Sequence, residues 1–214
     1  MRILLSERGS TWWMESAKLV QKVYSDSFGA NVEVNPEFFL SYLEKDSESG
    51  AEEVLACTGI TVAGADPLFL ETYLDVPVES LISSHRQVPV NRGEIIQLGS
   101  VASVRATAGA ELFKALAVVL WSRGCRYAVM TSTQRSLALQ RRLGIIFNPV
   151  GEADPGRLDP EELKNWGTFY DQKPLVVYAV IADQTSSFVN GVGRYHFNSI
   201  DMKLIPSRRE LAGV

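Results

Sequence analysis

Between Glu94 and Ser122 the sequence runs from EIIQLGSVAS through VRATAGA into ELFKALAVVLWS. The first stretch, Glu94–Ser103, reads as a buried strand. Arg105–Ala110 then carries no bulky side chain beyond its arginine. In the third stretch Leu112, Ala115, Leu116, Val119 and Leu120 share one face of a 3.6-residue period. This predicts a helix over Glu111–Ser122, closed by Gly124. A strand that turns through small residues into a helix leaves the first helical N–H groups unpaired and pointing outward. Together with the positive end of the helix dipole, such a turn favours a phosphate or pyrophosphate. Small residues at Ala106, Ala108, Gly109 and Ala110 let phosphates approach the backbone, and Arg105 adds a charge-assisted contact. The plainer alternative is a close-packed strand-to-helix turn that binds nothing.

The rest of the chain alternates helix and strand patterns without an internal repeat. Ser10 as N-cap and Gly29 as stop bracket a helix whose apolar positions Trp13, Ala17, Val20, Tyr24 and Phe28 fall on one face. Phe38–Leu43 and Glu53–Val62 read as strands joined by the polar turn Lys45–Gly50. Pro67–Leu74 and Val78–His85 read as short helices on an excursion before Glu94. After Gly124 come a strand over Cys125–Met130, a helix over Gln134–Leu143 stopped by Gly144, and a strand over Ile145–Val150. A polar loop over Gly151–Pro160 follows, and the last strong strand is Leu175–Ala182. This order predicts an α/β (α+β) domain over residues 1–182, with a central mixed sheet flanked by helices. Residues 183–214 are expected to form an extension docked by Phe188, Tyr195 and Phe197.

Composition narrows the function. Lys plus Arg number 21 against 25 Asp plus Glu among 214 residues, a formal charge of −4 that gives no attraction for a nucleic acid backbone. Two cysteines, Cys57 and Cys125, sit in apolar runs and read as reduced core residues. Two histidines, His85 and His196, exclude a multi-histidine metal site. The apolar run at Met1–Leu5 ends at Ser6-Glu7-Arg8, too early for a signal peptide, and no run approaches the ~20 residues of a membrane span. The expected location is cytoplasmic. No serine sits in a Gly-x-Ser-x-Gly elbow and no cysteine has a neighbouring histidine, so nucleophilic hydrolysis is not indicated.

Arg105-Ala-Thr-Ala-Gly-Ala110 resembles the Gln/Arg-x-x-Gly-x-Gly/Ala loop of the GNAT acetyltransferase superfamily, with Ala108 in place of the first glycine. More specifically, Pro67–Asp75, Glu94–Ala102, Arg142-Leu-Gly144, Trp166–Asp171 and the following Pro174-Leu-Val resemble the thermostable hemolysin family. The resemblance spans roughly residues 12–182. That family is similar in turn to the acyl-homoserine-lactone synthases. The resemblance implies a GNAT-like acyl-CoA N-acyltransferase fold. It also implies an acyl-CoA or acyl-carrier thioester as donor, with no tightly bound cofactor. The acceptor would be a small amine, and an acyl carrier protein would be the candidate protein partner. Val101, Ala102, Val104, Arg105, Ala106, Thr107, Ala108, Gly109 and Ala110 would hold the donor, with a backbone N–H near Val101 or Ala102 facing its carbonyl. Monomer and homodimer both stay open. The family's name implies the alternative, a membrane-active hemolysin or a non-catalytic acyl- or lipid-binding protein. Two departures stand out. Gln140 occupies the position where many acetyltransferases carry a tyrosine acid, and Gln97 and Ser100 occupy those where lactone synthases carry Glu and Arg.

Amine acylation needs a base, an oxyanion donor and a sink for the thiolate. Glu71, in the apolar stretch Leu68–Leu74, is the preferred base, because partial burial would raise its pKa; it could equally occupy the wet face of a short helix. Glu94 is the second choice. Gln97 points opposite to Ile96 and Leu98, toward either a cleft or water. Trp166 and Tyr170 could form an aromatic wall with a phenolic proton donor, or a staple docking the polar loop. Thr131, Ser132 and Thr133 could contact a pantetheine arm or cap the next helix. Arg135, Arg141 and Arg142 could hold the 3′-phosphate of coenzyme A or an acidic carrier, or form a solvated face.

Overall fold

The computed structural model describes residues 2–184; the docking expected of Phe188, Tyr195 and Phe197 lies outside them. Seven strands form one sheet: β1 (Arg2–Glu7), β2 (Phe38–Lys45), β3 (Glu52–Val62), β4 (Ile95–Ser103), β5 (Tyr127–Ser132), β6 (Asn148–Glu152) and β7 (Leu175–Val180). Their order is β1-β2-β3-β4-β5-β7-β6, with β4 and β5 parallel and every other neighbouring pair antiparallel. The helices are α1 (Thr11–Phe28), α2 (Val78–Arg86), α3 (Ala106–Ser122), α4 (Gln134–Arg142) and the short α5 (Pro160–Lys164). The expected mixed, helix-flanked sheet is observed. Arg2–Leu5 of the apolar N-terminal run belong to an edge strand, β1.

Strand alternation divides the core into two faces. Leu40, Ile96, Leu98, Ala128, Met130 and Val177 point one way and meet Leu112, Leu116, Val119 and Leu120 of α3. Burial of each such large side chain contributes about 2 kcal/mol. Ile95, Tyr127, Val129, Val176 and Tyr178 point the other way, onto Val78 and Ile82 of α2 and the turns around Leu70 and Tyr170. On that same side, Ala17 and Val20 of α1 cover Phe39, Cys57 and Ala102. A polar pin sits within this layer, Ser16 Oγ lying 2.7 Å from Ser41 Oγ with both side chains buried.

Local chemistry sets most element ends. Gly29 closes α1 in the left-handed conformation at φ 62°, its N–H donating to Ser25 O at 2.9 Å. Thr133 caps α4, its hydroxyl accepting from the Ser136 N–H at 3.2 Å. Several bounds differ from expectation: the strand expected over Ile145–Val150 is observed over Asn148–Glu152, and Pro67–Leu74 holds only a 3-10 turn, Phe69–Tyr73. Helix α3 begins at Ala106, so Arg105–Ala110 is its N-cap and first turns rather than a separate loop. Three alanines in that run favour the helix over a turn.

Candidate active-site cleft

The cleft begins where β4 and β5 part. Their parallel pairing ends at Leu98–Met130, although β4 continues along β3 and β5 continues along β7 to Ser132. A bulge in β4 accompanies the divergence. Gly59 opposes Gly99 and Cys57 opposes Ala102, so the single residue Thr58 faces both Ser100 and Val101. Ser100 takes a left-handed φ of 48° there. A non-glycine residue in that region is held by its surroundings at some cost in strain.

The wedge opens into a cleft of about 260 Å³. Gly99–Ser103 line one wall, and Thr131, Ser132 and Thr133 line the other. Ala106, Gly109 and Ala110 of α3, Tyr24 and Phe28 of α1, and Ser136, Leu139 and Gln140 of α4 complete it. The first turn of α3, whose leading N–H groups have no intrahelical acceptor, thus borders the cleft. A Cβ added at Gly109 would lie 3.2 Å from Ser103 Oγ, so a larger residue would crowd this edge.

The donor-site expectations divide accordingly. Val101, Ala102, Ala106, Gly109 and Ala110 line the cleft. Val104, Arg105 and Thr107 are exposed outside its lining, and Ala108 lies on the core-facing side of α3. Arg105 pairs with Glu44, which also accepts from the Tyr42 hydroxyl.

The catalytic expectations are placed elsewhere. Glu71 belongs to a buried brace, not to the cleft wall. Its Oε1 accepts from Val78 N–H at 2.9 Å and Arg92 Nη1 at 2.8 Å, and its Oε2 from Leu68 N–H at 2.6 Å and Arg92 Nη2 at 2.7 Å. Burial alone would raise its pKa. The hydrogen bonds from Arg92, Val78 and Leu68, with the Arg92 charge, outweigh that and bring it down to about 2. The expected upward shift is therefore reversed, because four donors converge on the carboxylate. Gln97 faces the same layer, its Oε1 accepting from Leu70 N–H at 3.0 Å. Tyr170 is buried with its hydroxyl on that of Tyr73, and Trp166 stacks on Phe69 at 5.8 Å. Burial, with Tyr73 and Glu162 as smaller influences, pushes the Tyr170 phenol up to about 12. The structure brings neither Glu71, Gln97 nor Tyr170 into the cleft lining.

The sequence patterns single out Gln140 and Thr131–Thr133 among the lining residues but not Tyr24. Tyr24 reads there only as an apolar helix position, yet it borders the cleft opposite the β4 bulge. Burial, aided by nearby Cys57 and opposed by the Val101 N–H, pushes its phenol up to about 12, so it stays protonated at neutral pH. Gln140 is 2% exposed, and neither of its amide atoms has a hydrogen-bond partner among the described residues. The Thr131 and Ser132 hydroxyls are likewise buried and unpartnered. Thr133, by contrast, is engaged as the α4 cap. None of the described lining residues carries a formal charge at neutral pH.

Comparison with known proteins now bears on this geometry. The sequence profile of the family described as "Thermostable hemolysin" matches residues 6–185. The chain belongs to the thermostable hemolysin family. No curated protein matches it significantly. Among solved structures, it is similar to the AHL synthase LasI, with a TM-score of 0.56 at 15% identity over 88% of this chain and 93% of that one. It is also similar to MesI, a CoA-dependent acyl-homoserine lactone synthase, with a TM-score of 0.56 at 13% identity over 94% of this chain and 100% of the other. A third neighbour is FeeM, an N-acyl amino acid synthase from uncultured soil microbes, with a TM-score of 0.55 at 12% identity over 87% and 99% of the two chains. At such identities the likeness shows the fold, so this family member has the GNAT-like acyltransferase fold. No described helix is long and apolar enough to cross a membrane.

Proposed function

We propose that the protein transfers an acyl group from a pantetheine thioester, carried by coenzyme A or by an acyl carrier protein, to a small amine. The observation that carries this reading is the cleft at the β4–β5 divergence, apolar along much of its length and bordered by the first turn of α3. The similarity in fold to LasI, MesI and FeeM supports it. In the transfer the amine nitrogen attacks the thioester carbonyl, a C–N bond forms, the C–S bond breaks, and the thiolate takes up the proton the amine loses.

Each part of the cleft has a role in this reading. The N–H groups at the start of α3 take the donor's pyrophosphate, or the single phosphate of a carrier-bound arm, and Arg105 can swing from Glu44 to join them. Val104, Thr107 and Ala108 then serve through their backbone, not their side chains. A backbone N–H of the β4 bulge, at Val101 or Ala102, faces the thioester oxygen as charge develops. Exposed Arg135, Arg141 and Arg142 on α4 offer charge to an acidic carrier or to a 3′-phosphate.

Because no described lining residue is a carboxylate or imidazole, the acceptor gives up its ammonium proton to water before it reacts as the free amine, and the proton released on amide formation goes to the thiolate. A cytoplasmic location, where such thioesters are made, fits the reading. The testing experiment follows thiol release from octanoyl-CoA in the presence of mixed amines and amino acids, with mass spectrometry of the products. Thiol released in step with an N-octanoyl amide supports the proposal. Release without an amide product, or none with any acceptor, overturns it.

A further inference from the structure

As the amine adds to the thioester, negative charge develops on the carbonyl oxygen, and the cleft must meet it with hydrogen-bond donors. Among the described lining residues only Tyr24 carries a titratable side chain. Its place follows from the period of α1, where Ala17, Val20, Tyr24 and Phe28 recur on the face laid over Phe39, Cys57 and Ala102 of the sheet. Three aromatic side chains hold the ring. Phe169 stacks on it at 6.2 Å, and Phe28 and Trp166 meet it edge-on at 5.7 and 6.3 Å. None of the three offers an oxygen or nitrogen that could accept the phenolic hydrogen.

The β4 bulge stands across from this ring. Its ladder is interrupted at Ser100 and Val101, where one residue of β3 faces two of β4 and Ser100 is left-handed. The Val101 N–H lies close enough to the Tyr24 hydroxyl to oppose the upward pull of burial on the phenol. Both residues line the cleft, and the Tyr24 side chain is only half-buried. A substrate oxygen brought to the bulge N–H therefore meets the phenol as well. With its phenol pushed up to about 12, Tyr24 keeps its hydrogen at neutral pH and acts as a donor.

We propose that the Tyr24 hydroxyl is a second oxyanion donor, acting beside the bulge N–H on the thioester oxygen. This inference rests on the thioester reading above and adds a catalytic side chain to it, from α1 rather than from α4, where Gln140 stands. When the amine nitrogen bonds to the carbonyl carbon, the C=O π pair moves onto oxygen and the Tyr24 hydrogen bond strengthens. When the C–S bond breaks, the pair returns to form the amide carbonyl, so Tyr24 keeps its proton throughout. The aromatic surround keeps water from competing for the same oxygen.

The test sets turnover against binding. Tyr24→Phe removes the hydroxyl and leaves the ring in place. With octanoyl-CoA and the mixed amines of the assay above, kcat is expected to fall about 100-fold, as on loss of one oxyanion donor. Calorimetric affinity for octanoyl-CoA, and for S-octyl-CoA, a thioether without a carbonyl, should stay within about threefold of wild type. A kcat within about threefold of wild type overturns the assignment. So does a loss of about tenfold or more in S-octyl-CoA affinity, which would make Tyr24 a packing residue. If Tyr24→Phe fails to fold, 3-fluorotyrosine at position 24 carries the test. Its more acidic hydroxyl should lower the infrared carbonyl stretch of bound octanoyl-CoA, and an unchanged stretch overturns the assignment. Wild-type protein that releases no thiol with any amine overturns the thioester reading itself, and this inference with it.

Discussion

Glu71→Gln separates a structural carboxylate from a catalytic one. The wild-type side chain is 9% exposed and accepts four hydrogen bonds, two from Arg92 and one each from the Leu68 and Val78 N–H groups. A carboxyl brought from 4.5 to about 2 has its charged form favoured in the fold by about 3 kcal/mol. Glutamine keeps the shape but replaces one acceptor oxygen with an NH₂ that faces donors. Arg92 is left with the Glu79 carboxylate at 2.8 Å and the Gly64 and Asp66 carbonyls. The expected loss is therefore about 3 kcal/mol, at the lower edge of the 3–5 kcal/mol typical of a broken buried pair. In a chain of this size that lowers the melting temperature by about 6–12 °C. The pH dependence has a definite sign. The folded pKa lies below the unfolded one, so the stabilisation is complete above about 4.5 and is lost as the pH falls toward about 2. Urea titrations of both proteins from pH 7 to pH 2.5 measure the gap. A variant as stable as wild type at pH 7 but without turnover would refute the brace and restore Glu71 as a base. A gap that fails to narrow below pH 4.5 would refute the electrostatic origin.

Gly167→Ala is expected to destabilise the fold by about 3 kcal/mol or more. Its φ is 53°, and an added Cβ would lie 2.0 Å from the Phe28 carbonyl oxygen, so chemical denaturation should show a large loss. Gly109→Glu places bulk and negative charge beside Ser103 at the start of α3; it should weaken acyl-CoA binding at least tenfold in calorimetry while the circular dichroism spectrum stays unchanged. On the thioester reading, purified protein added to dye-loaded phosphatidylcholine vesicles should release no dye; robust leakage would favour the lytic activity that the family's name suggests.

What the sequence makes legible follows the range of the interactions involved. The caps of α1 at Ser10 and Gly29 are local, and its observed bounds agree with them. The alternation along Ile95–Leu98 and Tyr127–Met130 likewise gives the two faces of the sheet before any pairing is known. The start of α3 misleads because the same alanines that leave room for a phosphate are strong helix formers, and helix propensity prevails. Glu71 misleads for a different reason. Its apolar neighbours are adjacent in sequence, whereas the guanidinium that governs it arrives from Arg92, 21 positions later. The cleft is less legible still. It depends on where β4 stops pairing with β5 and on a left-handed Ser100, both products of long-range pairing. Gln140 is conspicuous in sequence as a departure from related enzymes. Only the packing around it shows both amide atoms buried and unpaired.

The most direct test of the thioester cleft is isothermal titration of wild-type protein with acetyl-CoA and octanoyl-CoA, with Gly109→Glu in parallel. The account predicts saturable binding of at least one donor at micromolar strength, lost in the variant, with affinity rising as the acyl chain fills the apolar walls. Absence of binding by wild type, or equal binding by the folded Gly109→Glu variant, would contradict it.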